Sequence, residues 1–422
     1  MPNRIVFYLL VAAAGCWGFL PPGFAEASLK ANASQWSRLA VAPRLFDFSP
    51  RGAWENKGVA IDASFVTDLL GNPVGGKSQG FAYVGEVQAA LTADLEKLAG
   101  WTGGEFVASV ANTSGSDLSS SRFIGNELGV AEAVSLPTFL WDQLFVRQEW
   151  ADGMWSAKLG RFSVGDDFAT LEMFQLYTGA INPAPPVLGE NTFFTTPPVS
   201  AWAALVHAKP SESIELKTGV FQATGAVDVI ANHGLDMRFG RDDGILLVGE
   251  AVWKPTASGL NGEYRAGSYW CSLESPRFEG GGGDQTYGFY NVGQQKIWNE
   301  PGQSDQGLTA WYALTLSPQD DVVEFPFFAA LGAGWQGAIS GRDNDWILFG
   351  TWMTTFSRSD ADTNRSPGTE MATAEWVLEC DYRAQITPWL YVMPDIQWVV
   401  RPGGTGSIPN ALVLGAEIGM VF

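Results

Sequence analysis

The chain has 422 residues, of which 17% are charged and 13% aromatic, and its formal net charge is −20 at pH 7. This acidity excludes the basic surface of a nucleic-acid-binding protein, and three cysteines are too few for a disulfide framework. After the amino-terminal region no apolar stretch approaches the roughly 18 residues of a membrane-spanning helix, which excludes a helical membrane protein. The chain is rich in aromatic residues, but its apolar stretches are too short to cross a membrane as helices. Lipid-facing strands of alternating polarity account for both properties.

The amino terminus has the pattern of a secretory signal peptide. Arg4 precedes an apolar run from Ile5 to Leu20, and the small-residue exit Gly23-Phe24-Ala25 follows. We therefore expect residues 1–25 to be removed on export. The two alternatives are a membrane anchor, for which the run is short, and lipid attachment at Cys16, for which the preceding residues are a poor signal.

Residues 59–422 are expected to form one all-β domain, because short alternating segments separated by Gly, Pro, Asn and Asp continue through them without a break in composition. Residues 26–58 lack this alternation and are expected to form a short irregular or helical lead-in segment. In the clearest strand, residues 375–383, charged and apolar side chains alternate. One face carries Glu375, Glu379, Asp381 and Arg383, and the other carries Trp376, Leu378, Cys380 and Tyr382. Cys380 is therefore expected to be a small apolar residue rather than the partner of Cys271 in a disulfide bridge.

The carboxy-terminal segment is a strand with one face apolar to the last residue. That face comprises Leu412, Leu414, Ala416, Ile418, Met420 and Phe422. A water-soluble domain seldom ends in this way, whereas a closed outer-membrane barrel finishes with a strand that pairs and faces lipid.

Alternation by itself leaves two orientations open. In a soluble sandwich the apolar faces form the core, and in a membrane barrel they face lipid while the polar faces line a water-filled lumen. Trp residues recur near the ends of the segments, which favours membrane-interface girdles and hence the barrel. These residues are Trp101, Trp150, Trp155, Trp253, Trp270, Trp311, Trp346, Trp376 and Trp389.

Several segments, taken in order, give the chain its resemblance to the carbohydrate-selective porins of the OprB family. They are DLEKLAGWTGGEF (94–106), LGRFSVGDDFA (159–169), YGFYNVGQQKIW (287–298), GLTAWYALTLSPQDD (307–321), GRDND (341–345), AEWVLECDYRAQITPWLYVMPDIQWVVRPGG (374–404) and NALVLGAEIGMVF (410–422). The resemblance implies a single transmembrane antiparallel β-barrel of 16 strands with a narrowed lumen that passes monosaccharides. Residues 49–54 match the family's amino-terminal signature only loosely.

Sugar passage requires aromatic faces and hydrogen-bonding groups but no nucleophile, so no catalytic residue, cofactor or metal ion is predicted. Strand parity directs one group of candidate side chains to the lumen. These are Arg147, Glu149, Arg265, Glu375, Glu379, Asp395, Gln397 and Arg401. The resemblance adds residues that match family motifs and are expected at or near a constriction. These are Arg161, Asp166, Arg342 and Asp345.

The resulting hypothesis is a passive, substrate-selective channel for carbohydrates, such as the monosaccharide glucose, in the outer membrane of a Gram-negative bacterium. The expected partners are the transported sugars, outer-membrane lipids and the barrel-assembly machinery, which would engage Phe422. A monomer and a homotrimer are both compatible with the sequence. The alternatives are a general porin without sugar selectivity and an exported soluble β-rich protein that binds or processes carbohydrate.

Overall fold

The structure is a computed structural model that describes residue 45 and residues 49–422, apart from 120–121, 133–136, 229, 258, 303–305 and 364–369. The described residues belong to one compact unit, Ser34–Phe422. The expected signal peptide and most of the lead-in segment lie outside the described residues. The described end of the lead-in forms a helix, Ser49–Asn56, and the first strand begins at Val59.

Seventeen strands make up most of the described secondary structure, and neighbouring strands pair antiparallel. In chain order they are β1 Val59–Val74, β2 Phe81–Asp94, β3 Gly104–Gly115, β4 Thr138–Trp150, β5 Trp155–Phe162, β6 Ala201–Ser211, β7 Ile214–Ala223, β8 Gly244–Trp253, β9 Thr256–Ala257, β10 Leu260–Pro276, β11 Gly283–Asn299, β12 Gly307–Leu316, β13 Phe327–Gln336, β14 Trp346–Thr355, β15 Ala374–Thr387, β16 Leu390–Val400 and β17 Ala411–Val421.

The sheet closes on itself because β1 pairs with both β2 and β17. Ser64, for example, lies opposite Gln88 on one side and Val421 on the other. β8 pairs directly with β10, and the two-residue strand β9 pairs only with Leu260 and Asn261, so β9 belongs to the connection between them. Within the described ranges, sixteen strands therefore form the closed wall. The expected all-β, 16-stranded antiparallel barrel is confirmed.

The described helices are short, and all but the first, which precedes β1, lie in the connections between strands. The described α-helices are Ser49–Asn56, Leu95–Ala99, Val187–Asn191 and Arg358–Thr363, and the 3₁₀ turns are Phe174–Leu176, Gly225–Asp228, Ile230–Asn232 and Pro402–Gly404. Asp94 caps the second of these helices by accepting the N–H groups of Glu96 and Lys97 at 3.0 and 3.1 Å. Among the described residues, no helix has the length and apolar character needed to cross a membrane.

The apolar faces of the strands point outward. Phe81 and Leu331 are 65% and 58% exposed, whereas Glu86, on the opposite face of the strand that carries Phe81, and Glu379, on the inner face of β15, are buried inside the barrel. This is the reverse of a soluble sandwich, so the alternative of a soluble β-rich protein is wrong. Cys380 is exposed on the outer face and Cys271 is buried on the inner face, and both thiols are free, as expected.

Aromatic residues on the outer surface mark two interfaces. Trp101, Trp150, Trp155 and Trp253 are exposed near one end of the barrel, and Trp270 and Trp376 near the other. Two expected girdle residues are exceptions. Trp311 is buried and Trp346 is partly buried, and both pack inside the barrel. The expectation for them was wrong because their strand parity places them on the inner face.

The two ends of the barrel differ in the length of their connections. One end has connections of two to nine residues, which are 95–103, 151–154, 212–213, 254–259, 300–306, 337–345 and 388–389. The opposite end has connections of six to 38 residues, which are 75–80, 116–137, 163–200, 224–243, 277–282, 317–326, 356–373 and 401–410. Outer-membrane barrels have short turns on the periplasmic side and longer loops outside the cell. We refer to these ends as the turn end and the loop end.

Candidate functional site

Residues 163–200, which connect β5 to β6, fold into the barrel and are called here the long inner segment. Its apolar side chains pack against inward-facing residues of the wall. Phe174 and Tyr177 contact Trp311 edge-on with ring centroids 5.2 Å apart, and Phe168 contacts Phe221. The hydrophobic core of this protein thus lies inside the barrel, between the wall and this segment.

Polar side chains of three well-separated strands hold the long inner segment by its backbone. Glu250 on β8 accepts the N–H of Ala169 at 2.8 Å, and Gln294 on β11 accepts the N–H of Met173 at 3.1 Å. Glu379 on β15 accepts the N–H of Thr178 at 2.9 Å. Because these anchors lie well within their strands and are spread over the wall from β8 to β15, the segment runs across the lumen and narrows it.

Residues 116–137, which connect β3 to β4, form a second insertion called here the short inner segment. Its buried apolar residues are Leu118, Ile124, Leu128 and Val130. Glu375 on β15 accepts the N–H of Leu128 at 2.7 Å. The N–H of Ala180 donates to the carbonyl of Gly129 at 3.0 Å, so the two inner segments support each other.

The part of the wall from β3 to β10 carries inward-facing charged side chains, called here the charged ladder. Its members are Glu105, Arg147, Glu149, Lys158, His207, Glu215, Lys217, Lys254, Glu263 and Arg265. Opposite charges alternate along it: Arg147 lies 3.4 Å from Glu105 and 3.5 Å from Glu149. Arg265 lies 2.6 Å from Glu263. Arg147 and Glu149 keep 18% and 34% of their side-chain surface exposed, so this part of the ladder, near the turn end, is open to solvent.

The ladder meets the long inner segment at Asp167. The Lys158 ammonium lies 3.0 Å from the Asp167 carboxylate, and the Lys217 ammonium donates to the Asp167 carbonyl at 2.8 Å. The Asp167 side chain remains 25% exposed. Charged groups of both signs therefore border the narrowed lumen, where they can replace part of the hydration shell of a polyhydroxylated solute.

Asp166 lies beside this contact and is partly buried. Its carboxylate accepts hydrogen bonds from the Gln143 amide and the Ser163 hydroxyl, each at 2.7 Å. Loss of hydration raises the pKa of Asp166 to about 7, despite the opposing effect of Lys158. The charge at this position therefore changes close to neutral pH.

Four of the residues nominated from sequence lie along this side of the lumen. Arg147, Glu149 and Arg265 belong to the charged ladder, and Asp166 begins the long inner segment that faces it. The structure thus brings them to one side of the opening.

Arg161 takes a different position from the one expected for a constriction residue. It shares the outer face of β5 with Leu159, which is 56% exposed. Its guanidinium donates to the carbonyls of Ser200 and Asp236 at 2.7 and 2.6 Å. Arg161 therefore fixes connecting segments at the loop end, outside the lumen, because strand parity directs it there.

Three more nominated residues lie at the ends of the barrel. Arg342 and Asp345 pair at 2.7 Å in a connection at the turn end, where Tyr382 also donates to Asp345. Arg401 lies at the loop end, and its backbone N–H donates to the Asn410 side chain at 2.9 Å. None of the three joins the charged ladder as the described residues define it.

Glu375, Glu379, Asp395 and Gln397 do face inward, as their parity predicts, but the inner segments cover them. Glu375 and Glu379 accept backbone N–H groups of those segments. Gln397 donates to the carbonyl of Val130 at 2.7 Å. These contacts explain how this side of the wall holds the insertions in place.

Sequence reasoning missed Lys158, Lys217 and Glu250. Lys158 and Lys217 alternate with outward-facing apolar residues in β5 and β7, so strand parity could have identified them. Glu250 lies on the inner face of β8, but its contacts with Lys217 at 3.5 Å and with Ala169 come from distant parts of the chain. No local pattern contains that information.

Comparisons with known proteins agree with this architecture. The family described as "Carbohydrate-selective porin, OprB family" matches residues 78–422. Porin B of Pseudomonas aeruginosa is 25% identical over 89% of this chain and 92% of its own length. The putative porin QuiX of Acinetobacter baylyi is 23% identical over 87% of this chain and 90% of its own length.

A solved structure has the same fold. The high-pH structure of Pseudomonas putida OprB superposes with a TM-score of 0.83 at 24% identity, and the match covers 89% of this chain and 96% of that one. The family match extends over most of the chain and coincides with the barrel described above. This protein is a sugar-selective channel of the Gram-negative outer membrane, and it belongs to the OprB family of carbohydrate-selective porins.

Proposed function

We propose that this channel passes monosaccharides such as glucose by passive diffusion through the opening between the long inner segment and the charged ladder. The observation that carries the proposal is the contact of Lys158 and Lys217 with Asp167, which brings charged groups of both signs to the narrowed lumen. Such groups can exchange hydrogen bonds with sugar hydroxyls in place of water, weakly enough for the sugar to leave.

Arg147, Glu149, Arg265 and Asp166 are proposed as lining residues of the sugar path. Glu375, Glu379, Asp395 and Gln397 are proposed as its supports, since the inner segments cover them. The other four candidates are proposed to hold the connecting segments at the two ends of the barrel. They are Arg161, Arg342, Asp345 and Arg401.

Swelling of liposomes that contain the purified protein tests the proposal. Monosaccharides should enter faster than disaccharides of the same osmolarity. Substitution of Arg147 by Ala should change monosaccharide entry, whereas substitution of the exposed Asp343 by Ala should leave it unchanged. Equal entry rates for both sugar classes would instead support a general porin without selectivity.

We propose further that residues 1–25 are cleaved and that residues 59–422 form the mature barrel, inserted by the assembly machinery through Phe422. The Phe422 N–H donates to the Ala63 carbonyl at 2.8 Å, which places it at the seam between β1 and β17. Deletion of Phe422 should lower the amount of folded protein in outer membranes. Mass measurement of the mature protein gives the cleavage site, and cross-linking in membranes distinguishes a monomer from a homotrimer.

We propose no catalytic step. Among the described residues, His207 pairs with Glu215 at 3.1 Å and His233 contacts the carbonyl of Phe139 at 2.9 Å. Neither arrangement activates a nucleophile. Sugars recovered after transport should therefore be chemically unchanged.

A further inference from the structure

Five of the acidic side chains on the inner faces of four neighbouring strands are called here the carboxylate cluster. They are Glu379 and Asp381 on β15, Asp395 on β16, Glu417 on β17 and Asp68 on β1. Asp381 lies directly opposite Asp395. One carboxylate oxygen from each of Glu379, Asp381 and Asp395 lies within 4.8 Å of the other two.

Asp381 is only 2% exposed, and in the described part of the chain its carboxylate oxygens meet no donor other than the neighbouring carboxyl groups of Glu379 and Asp395. Oδ1 of Asp395 and Oε1 of Gln397 are likewise buried without a donor. Glu375 on the same wall differs, because the N–H groups of Leu128 and Gly403 bind it at 2.7 and 2.6 Å. Asp381 and Asp395 therefore lack the backbone donors that satisfy Glu375.

Ionised carboxylates removed from water are strongly unfavourable unless a partner neutralises them. The cationic side chain nearest in sequence, Arg383, lies with its Cζ 3.5 Å from the ring centroid of Tyr391. One arginine cannot balance five acids. The cluster therefore requires either a bound cation or shared protons.

We propose that Glu379, Asp381 and Asp395 bind one calcium ion inside the barrel wall. Calcium takes six to eight oxygen ligands at about 2.3–2.6 Å, so two oxygens that share the ion lie up to about 5 Å apart. The three carboxylates meet that limit, and the unpartnered Gln397 oxygen and water can supply further ligands. The donors are all oxygen, as a hard cation prefers, and Cys380 points to the outer face.

Such an ion would also strengthen an anchor of the long inner segment. Glu379 accepts the N–H of Thr178 at 2.9 Å and that of Gly179 at 3.1 Å. A calcium ion on Glu379 would fix this carboxylate between the wall and the segment. The ion is thus structural, and its binding can be measured independently of sugar transport.

The test uses the purified full-length protein in detergent, stripped with a chelator, loaded with calcium chloride and passed into metal-free buffer. Mass spectrometry of the metal content should give about one calcium per barrel. Calcium should also raise the temperature at which the barrel unfolds. The double variant Asp381→Asn with Asp395→Asn should bind calcium on the order of 100-fold more weakly or lose it.

The matched control is Asp242→Asn with Asp343→Asn, which removes the same charge from two exposed positions. It should retain calcium like the wild type. Wild-type protein that takes up no calcium, or a double variant that keeps it, would overturn the proposal and indicate that protons neutralise the cluster. If the double variant does not fold, metal content and calcium-dependent unfolding of the wild type decide the question.

Discussion

Glu250 shows how one side chain can stabilise both the wall and the insertion of this barrel. Its buried carboxylate accepts the Ala169 N–H at 2.8 Å and the Tyr290 hydroxyl at 3.0 Å, and it pairs with Arg265 at 3.3 Å and Lys217 at 3.5 Å. Removal of this carboxylate would leave two cations and one N–H group without their common partner.

We therefore expect Glu250→Ala to lower the free energy of unfolding by about 3–5 kcal/mol, the usual effect of breaking a buried charge pair. Release of Ala169 should also increase single-channel conductance. Urea unfolding in detergent and planar-bilayer recordings measure the two effects. Glu279→Ala, at an exposed loop position, is the control and should change neither. Unaltered stability of the Glu250 variant would contradict the anchoring role.

The raised pKa of Asp166 gives a second expectation at this scale. The folded protein keeps Asp166 protonated up to about pH 7. Protonated Asp166 therefore stabilises the fold fully at pH values below the ordinary pKa of an aspartate, and this stabilisation is lost as the pH rises through 7. Ionisation adds a negative charge beside the lumen, so cation selectivity of the wild type should increase between pH 6 and 8.

Reversal potentials in a salt gradient measure this selectivity. Asp166→Asn cannot ionise and should lack the increase, whereas Asp343→Asn, at an exposed turn position, should retain it. An identical increase in the Asp166 variant would assign the titration to another group.

At the scale of elements, the long inner segment depends on close approach to the wall. A Cβ atom at Gly179 would lie 2.3 Å from Oε2 of Glu379 and 2.5 Å from the Trp352 ring. Both neighbours are buried, so the segment would have to move. Gly189, in the same segment, has room, since the nearest atom to its Cβ is the Phe194 carbonyl oxygen at 3.5 Å.

Gly179→Ala should therefore displace the segment and relax selectivity, so that disaccharides enter liposomes at a rate closer to that of monosaccharides. Gly189→Ala should behave like the wild type in the same swelling assay. Equal selectivity of the two variants would show that the contact of Gly179 with the wall does not set the width of the opening.

Strand alternation accounts for much of what the sequence predicts at this scale. It placed Glu375 and Glu379 on the inner face and Cys380 on the outer face, because a strand residue can occupy only one of two sides. It could not place Arg161 or Trp311 without the strand boundaries and register. It also could not reveal that residues 163–200 fold inward, since their partners lie on distant strands.

For the whole molecule, the usual arrangement of apolar and polar surface is reversed. The outward apolar face of β13 extends from Phe327 to Trp335, and the eight rises between these residues give a length of about 27 Å along the strand. Allowing for strand tilt, this length is comparable with the apolar band of an outer-membrane barrel, about 25 Å tall. Leu331 lies in the middle of that face.

An arginine at Leu331 should lower the free energy of unfolding in lipid bilayers by about 2–4 kcal/mol, the effect of such a charge at mid-bilayer. Asp343→Arg, in a turn outside the band, is the control and should have little effect. A neutral outcome for Leu331→Arg would mean that this face does not contact hydrocarbon.

The sequence by itself determined the class of protein and the two faces of its strands, because alternation and composition are local properties of the chain. The family-like segments added the strand number and the carbohydrate channel. Only the tertiary structure decided which inward-facing charges border the opening and which the inner segments cover. That distinction depends on contacts such as Glu379 with Thr178, between residues about 200 positions apart, and closure of the barrel is what brings them together.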